Sequence, residues 1–277
     1  MTDDRAAFAR LVEALELWLR EIVFVGGWAH RLFRLHPLAK RVQYPPLMTH
    51  DADVAIPLHI KKARQDVRTR LRTAGFKEEF FGEERPPVTY YRLGGEQSGF
   101  YAEFLTPLAG GSHRRDGSPD ATTSISGVTA QKLRHLDLLL LNPWTVQLPG
   151  AAGYPIGEKS VAIQVPTVVS YLVQKLLVLP RRKPQDRGKD LLYIHDAIEL
   201  FGSAFEELRT TYLDVVRPAL HRNRLKELKE AAAHAFVVSS DTAAEAVVIA
   251  RSQGRSLTVS ELCDLCAYGF DRIFSDH

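Results

Sequence analysis

Cysteine is nearly absent: Cys263 and Cys266 are the only two in 277 residues. A core of full size is available at this length, so no disulfide staple is needed, and the count fits a reducing cytoplasm. The pair lies within Leu257 to Phe270, where apolar spacing is helical, and no second cysteine pair or histidine set completes a tetrahedral zinc site. Core packing is the expectation for both. Long apolar runs are missing too. None approaches the roughly 18 residues a membrane crossing needs, and the stretch Leu136 to Leu141 is strand-sized and broken by Asp137. The amino end, Met1-Thr2-Asp3-Asp4-Arg5, is charged and polar, so no secretory signal is expected and the location expected is cytoplasmic. Neither charge dominates: the net is +3, too mild to argue for nucleic acid by itself. No Gly-x-Ser-x-Gly, Walker loop or dinucleotide fingerprint occurs.

What is there begins with Val23-Phe24-Val25-Gly26-Gly27-Trp28-Ala29, an apolar strand running into a glycine pair, and continues with Thr49-His50-Asp51-Ala52-Asp53-Val54-Ala55-Ile56. Alternate strand residues point to the same face, so Asp51 and Asp53 share one while Ala52 and Val54 point away. Two neighbouring carboxylates repel unless a positive charge sits between them, and the usual one is a divalent metal. Glycines after a strand let backbone N–H groups approach a phosphate. A phosphate cradle beside metal-binding carboxylates points to phosphoryl or nucleotidyl transfer from a nucleoside triphosphate. Trp28 reads as a core residue. His30 and Arg31, one helical turn on, are candidate phosphate contacts, and His50 falls off the acid face.

These residues resemble the nucleotidyltransferase superfamily, the polymerase-beta-like fold. Within it they look most like the stand-alone bacterial members related to abortive-infection and type IV toxins. By that resemblance Gly26 and Gly27 match the glycine pair that opens a helix, Asp51 and Asp53 the Asp-x-Asp strand, and Glu103, in Phe100-Tyr101-Ala102-Glu103-Phe104-Leu105, a third acid on a later strand. It implies a magnesium-dependent enzyme with a two-metal site, manganese being the alternative, and Asp51, Asp53 and Glu103 as metal ligands. Gly27 stands where many members carry serine, and an insertion around His36 to Met48 is implied.

The element pattern predicts an α+β chain: a small mixed sheet with flanking helices over 1–165, then a helical domain over 166–277. Helices are expected over Asp4 to Glu21, Gly26 to Leu35, Lys61 to Thr73, Val168 to Leu179 and Asp190 to Phe201, with three or four more up to Phe274. Strands are expected over Ile22 to Val25, Ala52 to Ile56, Phe76 to Phe81, Val88 to Leu93, Phe100 to Leu105, Leu136 to Leu141, Thr145 to Leu148 and Ser160 to Val165. The loop from Leu108 to Ser118 carries His113-Arg114-Arg115, a candidate lid.

A second basic feature is Lys175, on a helical turn otherwise apolar through Val168, Tyr171, Leu172 and Leu176. A lysine beside an apolar stripe needs an anion or a snorkelling route to water. Toxin-like members carry a lysine helix followed by a Lys-Asp pair opening the next helix; Lys175, Lys189 and Asp190 match by resemblance. The two lysines would neutralise triphosphate oxygens, and Asp190 would orient a lysine or the acceptor. The acceptor hydroxyl could belong to tRNA, a protein or a small molecule. The family likeness also raises a toxin or phage-defence role with an antitoxin partner; no membrane partner is expected. Arg217, His221, Arg222, Arg224, Lys226 and Lys229 fit an RNA surface or a solvated helix face equally. The alternative is a catalytically idle nucleotide- or partner-binding module of the same fold, for which the absence of serine at Gly27 is the one hint.

Overall fold

The computed structural model describes residues 4–94, 99–111, 113, 117, 119–150, 153–156 and 160–275. The fold is mixed α+β: an amino-terminal mixed sheet, then a largely helical carboxyl-terminal region. Two compact units divide the chain, one formed by 1–35 and 48–166, the other by 36–47 and 167–277.

The first unit opens with α1 (Asp4–Ala14), followed by a 3-10 turn at Glu16–Trp18 rather than by helix to Glu21. Next come β1 (Val23–Phe24), α2 (Gly26–Leu32), β2 (Asp51–Ala55), α3 (Val67–Thr73), β3 (Phe76–Phe81), β4 (Val88–Leu93) and β5 (Tyr101–Pro107). The third helix starts six residues later than its charge pattern implies. Asp66 caps it by accepting from the Thr69 amide, and an Asp cap fixes a helix start more firmly than a run of lysines does. Then come β6 (Thr122–Ile125), β7 (Val128–Leu133), α4 (Leu136–Leu139), β8 (Trp144–Leu148) and β9 (Val161–Val165).

Seven strands make one sheet in the order β1-β2-β5-β4-β3, with β7 also paired to β5 and β6 to β7. β2 and β5 run parallel. The second edge of β5 is shared: Tyr101 and Ala102 pair with β4, and Phe104 to Pro107 pair with β7. One face carries Ala52, Val54, Ala102 and Phe104, all buried. Around the start of the sheet Phe8 stacks on Trp28 with centroids 3.9 Å apart, and Phe24 meets Phe8 edge-on, so Trp28 is a core residue. The opposite face is buried only in part, where Ala55 and Leu105 close over with Val23, Val25, Leu136 and Leu139.

That cluster explains one correction. The stretch expected as a strand at Leu136 to Leu141 is helical, as α4. Leu136 and Leu139, three apart, reach the same cluster, which a strand would forbid. A leucine run without β-branched residues also prefers helix. By contrast, β6 is three-quarters Thr and Ser and β7 carries only Val128, Ala130 and Leu133 as apolar residues, too little apolar signal to announce themselves.

The second unit holds α5 (Val168–Val178), α6 (Pro184–Leu200), α7 (Phe205–Thr211) with a π-turn at Tyr212–Val216, α8 (Arg217–Ala219), α9 (Arg222–Ala235), α10 (Asp241–Ser252) and α11 (Val259–Phe274). Thr167 caps α5. α6 begins at Pro184, a residue suited to a first helical turn, so Lys189 and Asp190 lie inside the helix rather than opening it. Cys263 and Cys266 are buried free thiols on α11, and burial raises the Cys266 thiol well above its usual range. The segment 36–47, expected as an insertion, is bound into this unit. The Lys40 amide donates to the Leu200 carbonyl at 2.8 Å, and the Tyr44 hydroxyl donates to Glu199 at 2.6 Å. Among the described residues no helix is long and apolar enough to cross a membrane.

Candidate active site

Strand pairing brings the sheet acids together. In the β2–β5 ladder Asp51 pairs with Tyr101 and Asp53 pairs with Glu103. Paired residues of neighbouring strands share a face, so Asp51, Asp53 and Glu103 stand on one side, next to each other. All three are half-buried. Asp53 also faces the glycine turn. The Val25 amide donates to the Asp53 carbonyl at 2.9 Å, and Gly26 follows at a φ of 61°. A Cβ on Gly26 would fall 2.0 Å from Asp53 Oδ2. Only a residue without a side chain lets the backbone approach that carboxylate. Gly27 is buried in the first turn of α2. In the same helix His30 is fully buried and the Arg31 guanidinium lies over the Trp28 ring at 4.4 Å.

Two neutral side chains hold the acids. The Thr49 hydroxyl donates to Asp51 Oδ1, and Gln131 Nε2 on β7 donates to Glu103 Oε2 at 2.7 Å. Gln131 gave no sign of this role in the sequence. Only the parallel pairing of β7 with β5, which sets Gln131 opposite Leu105, carries it onto the acid face. Burial, with Asp53 and Asp51 adding their charge, pushes the Glu103 carboxyl up to about 8 despite the opposing Gln131 bond. The Tyr90 and Tyr101 hydroxyls are raised too, by burial first and then by the same three carboxylates. The electrostatic signature is concentrated negative charge. It fits a hard cation: the donors are carboxylate oxygens, as magnesium or manganese prefers, and the field that makes Glu103 hold a proton would hold a metal instead. Among the described residues, the acidic group whose ligand atoms all lie within 4.8 Å of one another is His195, Asp196 and Glu199 in the second unit. There Arg255 binds Asp196 through two bonds, at 2.6 and 3.0 Å, and Tyr44 binds Glu199. Arg255 offsets one of the two carboxylates there, and it also lies over the Tyr44 ring at 3.7 Å, so it clasps the 36–47 segment.

The Glu103 environment sets a pH dependence. Its folded value lies above the unfolded one of about 4.3. The stability it contributes is therefore fully present below about pH 4 and lost as pH rises through about 8. Without metal, melting should drop between pH 5 and pH 8. Glu103→Gln should flatten that slope and melt higher than the wild type at pH 8, by about 1–2 kcal/mol or roughly 2–8 °C. Parallel melting curves of the two proteins across this range would contradict the assignment.

The expected basic residues lie in the second unit. Lys175 is buried, and the anion it needs is Asp190: Lys175 Nζ donates to Asp190 Oδ1 at 2.6 Å. The Arg182 Nε donates to the other carboxylate oxygen at 2.8 Å. Burial works to raise the Asp190 carboxyl, but Lys175 and Arg182 outweigh it and hold the group below the usual range. The Lys175 ammonium also lies 5.0 Å from the Tyr193 ring centre, and Lys189 lies 5.7 Å from it. Removing the charge should be costly because Lys175 would be left buried with a weaker partner. Asp190→Asn is expected to lower stability by about 2 kcal/mol, roughly 4–8 °C in Tm. A chemical-denaturation midpoint unchanged from wild type would show the pair contributes nothing. Of the candidate lid, His113 bridges to Pro119, while Arg114 and Arg115 lie outside the described residues.

Comparison with known proteins adds three findings. The sequence profile of a family described as nucleotidyltransferase matches residues 3–217. The crystal structure of an antigenic nucleotidyltransferase-like protein from Paracoccidioides brasiliensis is similar at 14% identity and a TM-score of 0.42, over 88% of this chain and 92% of that one. No curated protein sequence matches.

Proposed function

The chain belongs to the nucleotidyltransferase family whose profile spans residues 3–217, and from that premise we propose that it transfers a nucleoside monophosphate from a triphosphate to an acceptor hydroxyl. The observation that carries this reading is the β2–β5 register, which sets Asp53 beside Glu103 with Asp51 on the same face and Gly26 against Asp53. Asp51, Asp53 and Glu103 would hold magnesium, or manganese in its place. The bound metal would neutralise the phosphates and activate the attacking oxygen. The bare turn at Gly26 and Gly27 lets the triphosphate lie close to the backbone. The acceptor oxygen forms a bond to the α-phosphorus, the bond to the β-phosphate bridge breaks, and pyrophosphate leaves. Glu103, the acid paired with Asp53 across the ladder, would be the group that takes the hydroxyl proton.

Lys175, Lys189 and Asp190 are assigned to substrate binding on the sequence resemblance. The bond from Lys175 to Asp190 would let Asp190 orient that lysine. A toxin or phage-defence role with an antitoxin partner rests on the same resemblance and on no structural observation. The test is incubation of the full chain with each labelled triphosphate, magnesium and a cell extract. Label should enter one class of acceptor, in a reaction that needs the metal and Asp53. Absence of transfer from every triphosphate, with both magnesium and manganese tried, would overturn the proposal in favour of an idle member of the fold.

A further inference from the structure

The acids share their face of the sheet. Register extends it from Asp51 and Asp53 through Tyr101 and Glu103 on β5 to Tyr90 and Arg92 on β4, then to Lys77, Glu79 and Phe81 on β3. Three of these side chains are aromatic, one per strand, and they touch in sequence. The Tyr101 and Tyr90 rings stack with centroids 4.8 Å apart and planes at 26°. Tyr90 and Phe81 follow at 4.6 Å and 40°. The row therefore leads away from the acids and ends on β3, the edge strand, at Phe81, which is 44% exposed. Beside it Arg92 lies over Tyr101 at 5.4 Å and is held by Glu79 at 2.7 Å. Lys77, paired with Arg92, is exposed. A ring stack ending open at a sheet edge, on the same face as a phosphate-handling site and with Lys77 further along the edge strand, is the chemistry that receives a flat aromatic ring attached to a phosphate backbone.

We propose that the Phe81 end of this row seats an unpaired nucleobase of a single-stranded nucleic-acid acceptor. Reach decides where that base comes from. At about 4.8 Å per strand, Phe81 lies roughly 12 Å across the sheet from the Asp53–Glu103 pair. The base of a triphosphate held over those acids stays within its own ribose's length of them, over β5 or β4. The outer face of Phe81 is left to a second nucleotide, upstream of the attacking hydroxyl. Stacking there tolerates any base, and Lys77, about 13 Å back along β3, would meet a neighbouring nucleotide's phosphate in a contact that salt weakens. The word acceptor rests on the transferase reading; the binding itself needs neither metal nor Asp53.

The test uses the full chain, without metal, and a short oligoribonucleotide carrying 2-aminopurine near its 3′ end, whose fluorescence falls on stacking. The wild type should bind and quench it. Phe81→Leu and Phe81→Ser should weaken binding about 5- to 20-fold and restore the fluorescence, at an unchanged melting temperature. Phe81→Trp should retain both. Equal quenching by wild type and Phe81→Leu would overturn the proposal, as would no binding by the wild type. So would a Phe81-dependent quench of free 2-aminopurine riboside triphosphate, which would give the seat to the donor. Oligonucleotide binding that obeys Phe81, in a protein that transfers no label, would instead leave the seat standing and remove the transferase reading.

Discussion

Asp53→Asn is expected to abolish magnesium-dependent labelling, by about 1,000-fold or more, while the protein becomes slightly more stable without metal. The two effects have one cause. Asp53 sits between the glycine turn and Glu103, and after burial it is the largest contributor to the raised proton affinity of Glu103. Removing its charge relieves the like-charge contact with Glu103. The same charge would be the one that holds the cation when substrate arrives. Sites kept for function commonly cost stability in this way. The measurement is paired: initial rate of label transfer, and melting temperature without metal at pH 8. A variant that keeps more than about a tenth of the rate, or that melts lower than the wild type, would break the link between Asp53 and the chemistry. Asp51→Asn should behave alike, with a smaller gain in stability, because Thr49 already satisfies one Asp51 oxygen.

The acids and the glycine turn were legible because they are local. An Asp-x-Asp alternation fixes two side chains on one face whatever surrounds the strand, and a strand ending in Gly-Gly marks its own turn. Glu103 needed one long-range fact, the parallel pairing of β5 with β2, which the family resemblance supplied. Gln131 needed a second pairing, β7 on β5, in a segment whose short strands carry little apolar signal. The Phe81–Tyr90–Tyr101 row needed three strands in register, and each aromatic alone reads as an ordinary strand residue. In the second unit the signal was long-range as well. The basic stretch before Asp190 resembles a solvated linker in composition, yet Pro184 starts a helix there, and the anion beside Lys175 is an aspartate 15 residues on.

Gly26→Ala separates the backbone from the site more sharply than any acid substitution. Two penalties meet at this residue. Its φ of 61° is left-handed, which costs an alanine about 1–2 kcal/mol. Its Cβ would also lie 2.0 Å from Asp53 Oδ2 and 3.0 Å from the carboxylate carbon, so the carboxylate must swing away. Gly254, at a φ of 75°, carries the first penalty alone, because a Cβ there meets nothing within 4 Å. Gly254→Ala should therefore lose about 1–2 kcal/mol and keep its transfer rate. Gly26→Ala should lose at least as much stability and, in addition, about 100-fold or more in rate, because a catalytic carboxylate displaced by about an ångström no longer meets its cation or substrate. The decisive quantity is the ratio of rate loss to stability loss in the two variants. Equal ratios would mean that Gly26 serves only the turn, and that the close approach to Asp53 has no part in the chemistry.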